Sequence, residues 1–400
     1  MRTFYYTCVV FVGIMIFSCN PVEENSGRHK VINLPESLNH IGMIPLSEIA
    51  ESIEYIPLET PNDGLVGRIR NIFYENHHII IQDNTGVITI FDEQGRFVRK
   101  IDRMGRGPQE YLQYSSLLLS PLNGNLLMMG QREIKEYDWF GHFIRKVEAP
   151  VVDGYSGMNP VIIGKNSYIV PLFNHKYDRE YCAAIFDSVA NVRQLVTTPD
   201  VYGMNQKAAD NLSSASSDGE FRFSIVIIPT IFRYGDQTRI FYQETKEILT
   251  TDGYTVDTAF VIDYGKYRLP GGLINDSEDV RYLSPGNFVE TDHYLFFRVK
   301  GTNMLESETS GYFVFNKRNN KTRILYDHEK KENGFKDDLQ EGPAFWPRSV
   351  NSDQMLVSFI DSDVILDYVK DAKGSDVLKS TLSGLKEDSN PIVVLVKQRR

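Results

Sequence analysis

Cysteine, basic charge and long apolar runs are all scarce in this chain, and each scarcity excludes a class of protein. Only three cysteines occur in 400 residues, and two of them, Cys8 and Cys19, lie close to the N-terminus. Cys182 is left without a partner, so no internal disulfide can staple the folded body, which must stand on its apolar core. The 43 Lys and Arg are outnumbered by 53 Asp and Glu, for a formal net charge of −10. Proteins that grip a phosphate backbone need basic stripes, so a nucleic acid partner is not expected. The one sustained apolar run, 4–17, is shorter than the ~20 residues of a membrane-spanning helix.

Patterns that carry chemistry are equally sparse. The eight histidines show no HExxH or similar ligand spacing, which argues against zinc. There is no G-x-S-x-G elbow for a serine nucleophile and no Asp-rich loop of the calcium-binding kind. Cys182 sits in an apolar strand pattern and reads as an inert core thiol. No metal and no cofactor is therefore expected, and a binding role is favoured over an enzyme. The alternative is a carbohydrate-active hydrolase or lyase. Its acids would be Asp337 and Asp338 with Glu341, or Asp276 with Glu278 and Asp279, all in loops.

The N-terminus has its own order. Met1-Arg2, the apolar run and then Ser18-Cys19 follow the charged, apolar and small-residue sequence of a secretory signal. The phrase Ile16-Phe17-Ser18-Cys19 resembles the bacterial lipobox, whose cysteine is acylated and anchors the protein to a membrane surface. Residues 1–18 are expected to be the signal peptide and 19–45 a lipidated N-terminus with a flexible tether. The folded body is expected at 46–400, with membrane contact through the lipid alone.

What is abundant is the strand pattern. Short apolar runs at 68–73, 78–82, 87–91 and 97–101 are separated by reversals rich in Asn, Asp and Gly, the signature of consecutive antiparallel strands. The same order recurs at 115–119, 125–129, 134–138 and 143–147, with Trp139-Phe140-Gly141-His142 standing where Glu93-Gln94-Gly95-Arg96 stood. A repeat of about forty residues with four strands is that of a propeller blade. Looser units follow at 161–196, 223–263 and 287–326, and a sixth starts at 348–360.

The sixth unit is then interrupted by two short helices. The first has Val364, Ile365, Tyr368 and Val369 on one face, with Ser362 as its expected cap. The second has Val377, Leu378, Leu382 and Leu385, with Ser375 as its cap. The fold class is all-β: a six-bladed β-propeller of four-stranded antiparallel blades with two short helices inserted near the C-terminus. A ring must close without a bare edge, so the strand at 53–58 is expected to join the one at 392–396 and complete the last blade.

Three phrases carry a resemblance: Gly105-Arg106-Gly107-Pro108-x-Glu110-Tyr111 after the first blade, Gly342-Pro343-x-Phe345-Trp346-Pro347 before the last, and the tail 385–394 reading LKEDSNPIVV. Together the chain resembles the six-bladed, NHL-like propeller lipoproteins of Bacteroides and relatives. The resemblance implies a cell-envelope location, at the outer membrane, and implies no catalytic residues.

Up-and-down blades put the connections from outer strand d to the next inner strand a on the same face as the b to c connections. The long ones, 197–222, 265–285 and 327–345, are all of the first kind, and 174–179 and 301–310 of the second. Loops on a rigid frame are where binding residues gather. The candidates on this face are Arg106, Glu110, Tyr111, Tyr114, His175, Tyr177, Trp346 and Arg348, with Cys19 as the lipidation site. Aromatic faces beside Arg and carboxylates suit a glycan or a peptide. The expected partner is a glycan, a peptide or an outer-membrane protein, met by a monomer. For the 105–111 phrase an architectural role competes with ligand contact, since its glycines and proline also fit a blade junction.

Overall fold

The computed structural model describes residues 29–173, 180–199, 228–243, 245–265, 283–301, 311–371 and 373–399. Six antiparallel sheets follow one another around a ring. Blade 1 is Ile69–Glu75, His78–Asp83, Ile88–Asp92 and Phe97–Ile101. Blade 2 is Ser116–Leu119, Leu126–Met129, Glu133–Tyr137 and Phe143–Glu148. Blade 3 is Val161–Gly164, Ser167–Phe173, Tyr181–Phe186 and Val192–Thr197. Blade 4 is Thr230–Tyr234, Gln237–Phe241, Glu247–Thr251 and Val256–Asp263. Blade 5 is Leu283–Glu290, Tyr294–Gly301, Gly311–Asn316 and Lys321–Ile324.

Blade 6 is built from both ends of the chain. Ser349–Val350, Leu356–Ile360 and Ile392–Gln398 supply its inner three strands, and Ala50–Pro57 pairs with the last of them as the outer strand, Pro57 opposite Ile392. The middle strands b and c carry most of the apolar residues, because both of their faces are covered by neighbouring blades. In blade 5, Leu295, Phe297 and Val299 pack toward blade 4 while Phe296 packs toward blade 6.

The c to d reversals explain the recurring Asp. Asp92 Oδ1 accepts from the Gln94 and Arg96 amides, Asp138 Oδ1 from Phe140 and His142, and Asp187 Oδ1 from Val189 and Asn191. Such a side chain imitates a backbone turn. The fourth position must then be left-handed, which Gly95 and Gly141 adopt without strain, at φ of 79° and 82°.

Three features depart from the sequence expectation. Within the stretch expected as a tether, Lys30–Asn33 forms a strand that adds in parallel to the outer edge of blade 4, followed by helix α1 (Leu34–Ser37). Helix α2 (Ser362–Lys370) has Asp361, not Ser362, at its N-cap, because the Ser362 hydroxyl donates to the Asn390 carbonyl instead. The inner strand of blade 5 starts at Leu283 and carries a bulge before Val289, where Asn287 takes φ 52°. Helix α3 (Asp376–Thr381) is capped by Ser375, whose hydroxyl accepts from the Leu378 amide at 3.0 Å.

Cys182 is 1% exposed, and burial pushes its thiol up to about 12.

Candidate functional site

The a to b and c to d turns of the described blades are short, and the long described connections, 102–115, 325–348 and 361–391, are of the d to a and b to c kinds. Arg106, Glu110, Tyr111, Tyr114, Trp346 and Arg348 all belong to d to a connections on that side. His175, Tyr177 and Cys19 lie outside the described residues. So do Asp276, Glu278 and Asp279.

The loop after blade 1 closes on itself. The Gly107 amide donates to Glu110 Oε2 at 2.8 Å, the Gly105 amide to the Tyr111 carbonyl at 3.0 Å, and the Tyr111 amide to the Arg103 carbonyl at 3.0 Å. A Cβ on Gly105 would stand 1.8 Å from Glu110 Oε2, so a side chain there would push the Glu110 carboxylate out of the loop. Lys135 Nζ donates to the Glu110 carbonyl and the Tyr137 hydroxyl to the Gln109 carbonyl, tying the loop to blade 2.

Tyr111 corrects the expectation of ligand contact. It is 2% exposed, its hydroxyl donates to the Gly86 carbonyl at 3.1 Å, and its ring meets Tyr137 edge-on at 5.7 Å. Burial pushes its ionisation up to about 12, so it remains a hydrogen-bond donor. Glu110 stays exposed and gives one carboxylate oxygen, Oε2, to the Gly107 amide. Tyr111→Phe should cost about 1 kcal/mol through the orphaned Gly86 carbonyl, read as a lower denaturation midpoint with ligand affinity unchanged.

Trp346 also belongs to the frame. At 7% exposure it packs edge-on to Phe296 at 5.8 Å and against Tyr312 at 4.6 Å, as a lid on the blade 5 to blade 6 junction. The acids of the hydrolase alternative are engaged nearby. Asp337 is 3% exposed and accepts from the Leu339, Gln340 and Gly342 amides and the Tyr55 hydroxyl. Burial and Asp337 raise the ionisation of Tyr55 well above its ordinary range, which keeps that donor in place. Asp338 accepts from the amide and hydroxyl of Ser47.

Besides Glu110, three candidates remain open. Arg106 is exposed, Tyr114 is 56% exposed, and neither side chain has a hydrogen-bond or ring partner among the described residues. Arg348 is solvent-accessible, yet surrounding protein and the nearby Arg298 guanidinium hold it below its ordinary value. The inner strands link these positions: Ser349 Oγ donates to the Ile72 carbonyl at 2.7 Å, and Arg70 Nη1 to the Gln113 carbonyl at 3.1 Å. Arg348, Arg70 and Tyr114 therefore follow one another along an arc of the channel rim.

Arg298 escaped the sequence reading. It shares a face of its strand with Tyr294 and Phe296, and a charge ending an apolar column is the signal that could have found it. Its guanidinium lies 4.5 Å over the Tyr312 ring, while that of Arg348 lies 4.9 Å over Phe359. A separate groove of about 680 Å³ lies where blade 6 meets blade 1, lined by residues including Leu58, Leu65, Arg96, Leu385 and Lys386. No group of three or more His, Cys, Asp or Glu among the described residues could hold a metal. No helix among them is long and apolar enough to cross a membrane.

A solved structure shares this architecture. A "Putative exported protein" from Bacteroides fragilis NCTC 9343 superposes with a TM-score of 0.66 at 15% identity, over 92% of this chain and 100% of that one. A member of the DUF4221 family from Bacteroides vulgatus ATCC 8482 gives a TM-score of 0.47 at 12% identity, over 88% and 97%. At such identities the likeness shows the fold alone. No curated protein matches. The family model described as "Domain of unknown function (DUF4934)" matches residues 29–397, nearly the whole propeller, and the chain belongs to that family.

Proposed function

We propose that this chain is an exported, lipid-anchored propeller that binds a glycan, peptide or protein partner through its loop-rich face. One observation carries the reading: Arg106, Glu110, Tyr114 and Arg348 are exposed on the loop side while Tyr111 and Trp346 are consumed by the frame. Export is supported by the secretory order of residues 1–19 and by the description of the Bacteroides fragilis relative.

The entry of the chain supports the same orientation. Lys30–Asn33 runs parallel to Val256–Asp263, from the turn side toward the loop side, and Lys30 Nζ donates to the Lys317 carbonyl at a c to d turn. A lipid on Cys19 would tether the chain from the turn side. Binding to glycan and peptide arrays tests the function. Retention should fall at least tenfold with Tyr114→Ala or Arg106→Gln at an unchanged melting temperature. Loss of binding by changing Phe140 on the turn face instead, or no retention on any array, would overturn it.

A further inference from the structure

The rim holds two guanidinium groups that no carboxylate among the described residues neutralises. Among the described residues neither Arg298 nor Arg348 makes a salt bridge or a side-chain hydrogen bond; each rests on an aromatic face, Tyr312 at 4.5 Å and Phe359 at 4.9 Å. Tyr312 is itself backed by Trp346 at 4.6 Å, so the Arg298 platform is rigid. Stacking orients a guanidinium while leaving its in-plane N–H donors free to form a fork toward an oxyanion.

The surroundings favour the same charge. The Arg298 guanidinium acts on Arg348, and the carboxylate that acts on it, Asp361, is exposed, caps no helix amide with its side chain and forms no salt bridge with it. Two like charges held together cost free energy unless an anion arrives. In a chain of net charge −10, a cationic pair of this kind is a local reversal of sign. Farther along the rim Tyr114 presents a bare ring, the flat apolar face on which a pyranose stacks.

We propose that Arg298 and Arg348 form an oxyanion subsite for an acidic saccharide, a sugar carrying a carboxylate or a sulfate. The inference rests on the binding role of the loop-rich face and names the class of ligand for it. Tyr114 receives a neighbouring ring, and the two forks take the acidic group.

The test is calorimetric titration of the full chain, kept in detergent, with oligogalacturonate, a sulfated oligosaccharide, a neutral oligosaccharide of equal length and an acidic peptide. An acidic saccharide should bind, the neutral one at least tenfold more weakly. Arg348→Gln should weaken binding about tenfold and Arg298→Gln with Arg348→Gln about a hundredfold, as expected for charge-assisted hydrogen bonds. The melting temperature of both variants should hold or rise, because a repulsion is removed. Which acidic saccharide binds separates carboxylate from sulfate.

Equal binding of the neutral saccharide, or arginine variants that bind like the parent chain, would overturn the subsite. If Tyr114→Ala still weakened binding in that case, the binding face would stand without it. Arginine-dependent binding of the peptide alone would overturn the saccharide assignment. Silence toward the whole panel would remove the binding role as well.

Discussion

Glu290→Gln is expected to destabilise the protein by about 3–5 kcal/mol, the cost of breaking a buried ion network from its single anion. The Glu290 carboxylate is fully buried and serves two cations. Arg239 grips it as a fork, Nε to Oε2 at 2.9 Å and Nη2 to Oε1 at 3.0 Å, and Lys317 Nζ meets Oε1 at 2.6 Å. Tyr234 lies beneath both, 5.0 Å from the Arg239 guanidinium and 4.0 Å from the Lys317 amine. The group joins the first strands of blade 4 to the end of the inner strand of blade 5, on the turn side.

Burial, opposed by Glu290, lowers the ionisation of Lys317 below its ordinary value, so the amine depends on that carboxylate. Removing the anion leaves two cations inside the protein. Lys317→Met should cost clearly less, since Glu290 and Arg239 remain a neutral pair. Denaturant midpoints of the two variants, followed by fluorescence, check the order. A Glu290→Gln loss no larger than that of Lys317→Met would contradict this account of the junction.

Asn390→Ala is expected to cost about 3–4 kcal/mol, on the usual penalty for each buried polar group left unpaired. It is 2% exposed. Its Nδ2 donates to the Glu59 and Gly64 carbonyls at 2.7 and 2.8 Å, and its Oδ1 accepts from the Val66 amide at 2.9 Å. Its backbone amide donates to Thr60 Oγ1 and its carbonyl accepts from Ser362 Oγ. One side chain thereby holds the loop from blade 6 to blade 1 against the last strand, where the two ends of the chain meet. Hydrogen exchange in Asn390→Ala should accelerate first in Ala50–Pro57 and Ile392–Gln398. Uniform acceleration over all six blades would mean that the closure is not a separate weak point.

The sequence made the repeat visible because the turn chemistry recurs at fixed spacing: Asp92 and Asp138 cap the same reversal, and Gly95 and Gly141 take the same left-handed position. Closure was legible too, since a strand at each end of the chain needed a partner. The junctions were not. Arg239, Glu290 and Lys317 are 51 and 27 residues apart, and nothing local to any of them signals the others. The four residues Lys30–Asn33 gave no hint of a sheet edge, because an added parallel strand needs only a matching surface.

The candidate site was read in part. The phrase 105–111 lies in a d to a connection, but a motif cannot say which of its side chains turn inward, and the backbone turned Tyr111 in while leaving Arg106 and Glu110 out. Arg298 lay in a strand rather than a loop, where only the break in an apolar column distinguished it.

The claim that function resides at the loop-side rim is tested most directly by hydrogen exchange of the full chain with and without oligogalacturonate. The account predicts slowed exchange at 105–116 and 347–350, with the turns at 93–96, 138–142 and 317–320 unchanged. Protection of those turns, or saturable binding with no protection at the rim, would contradict it.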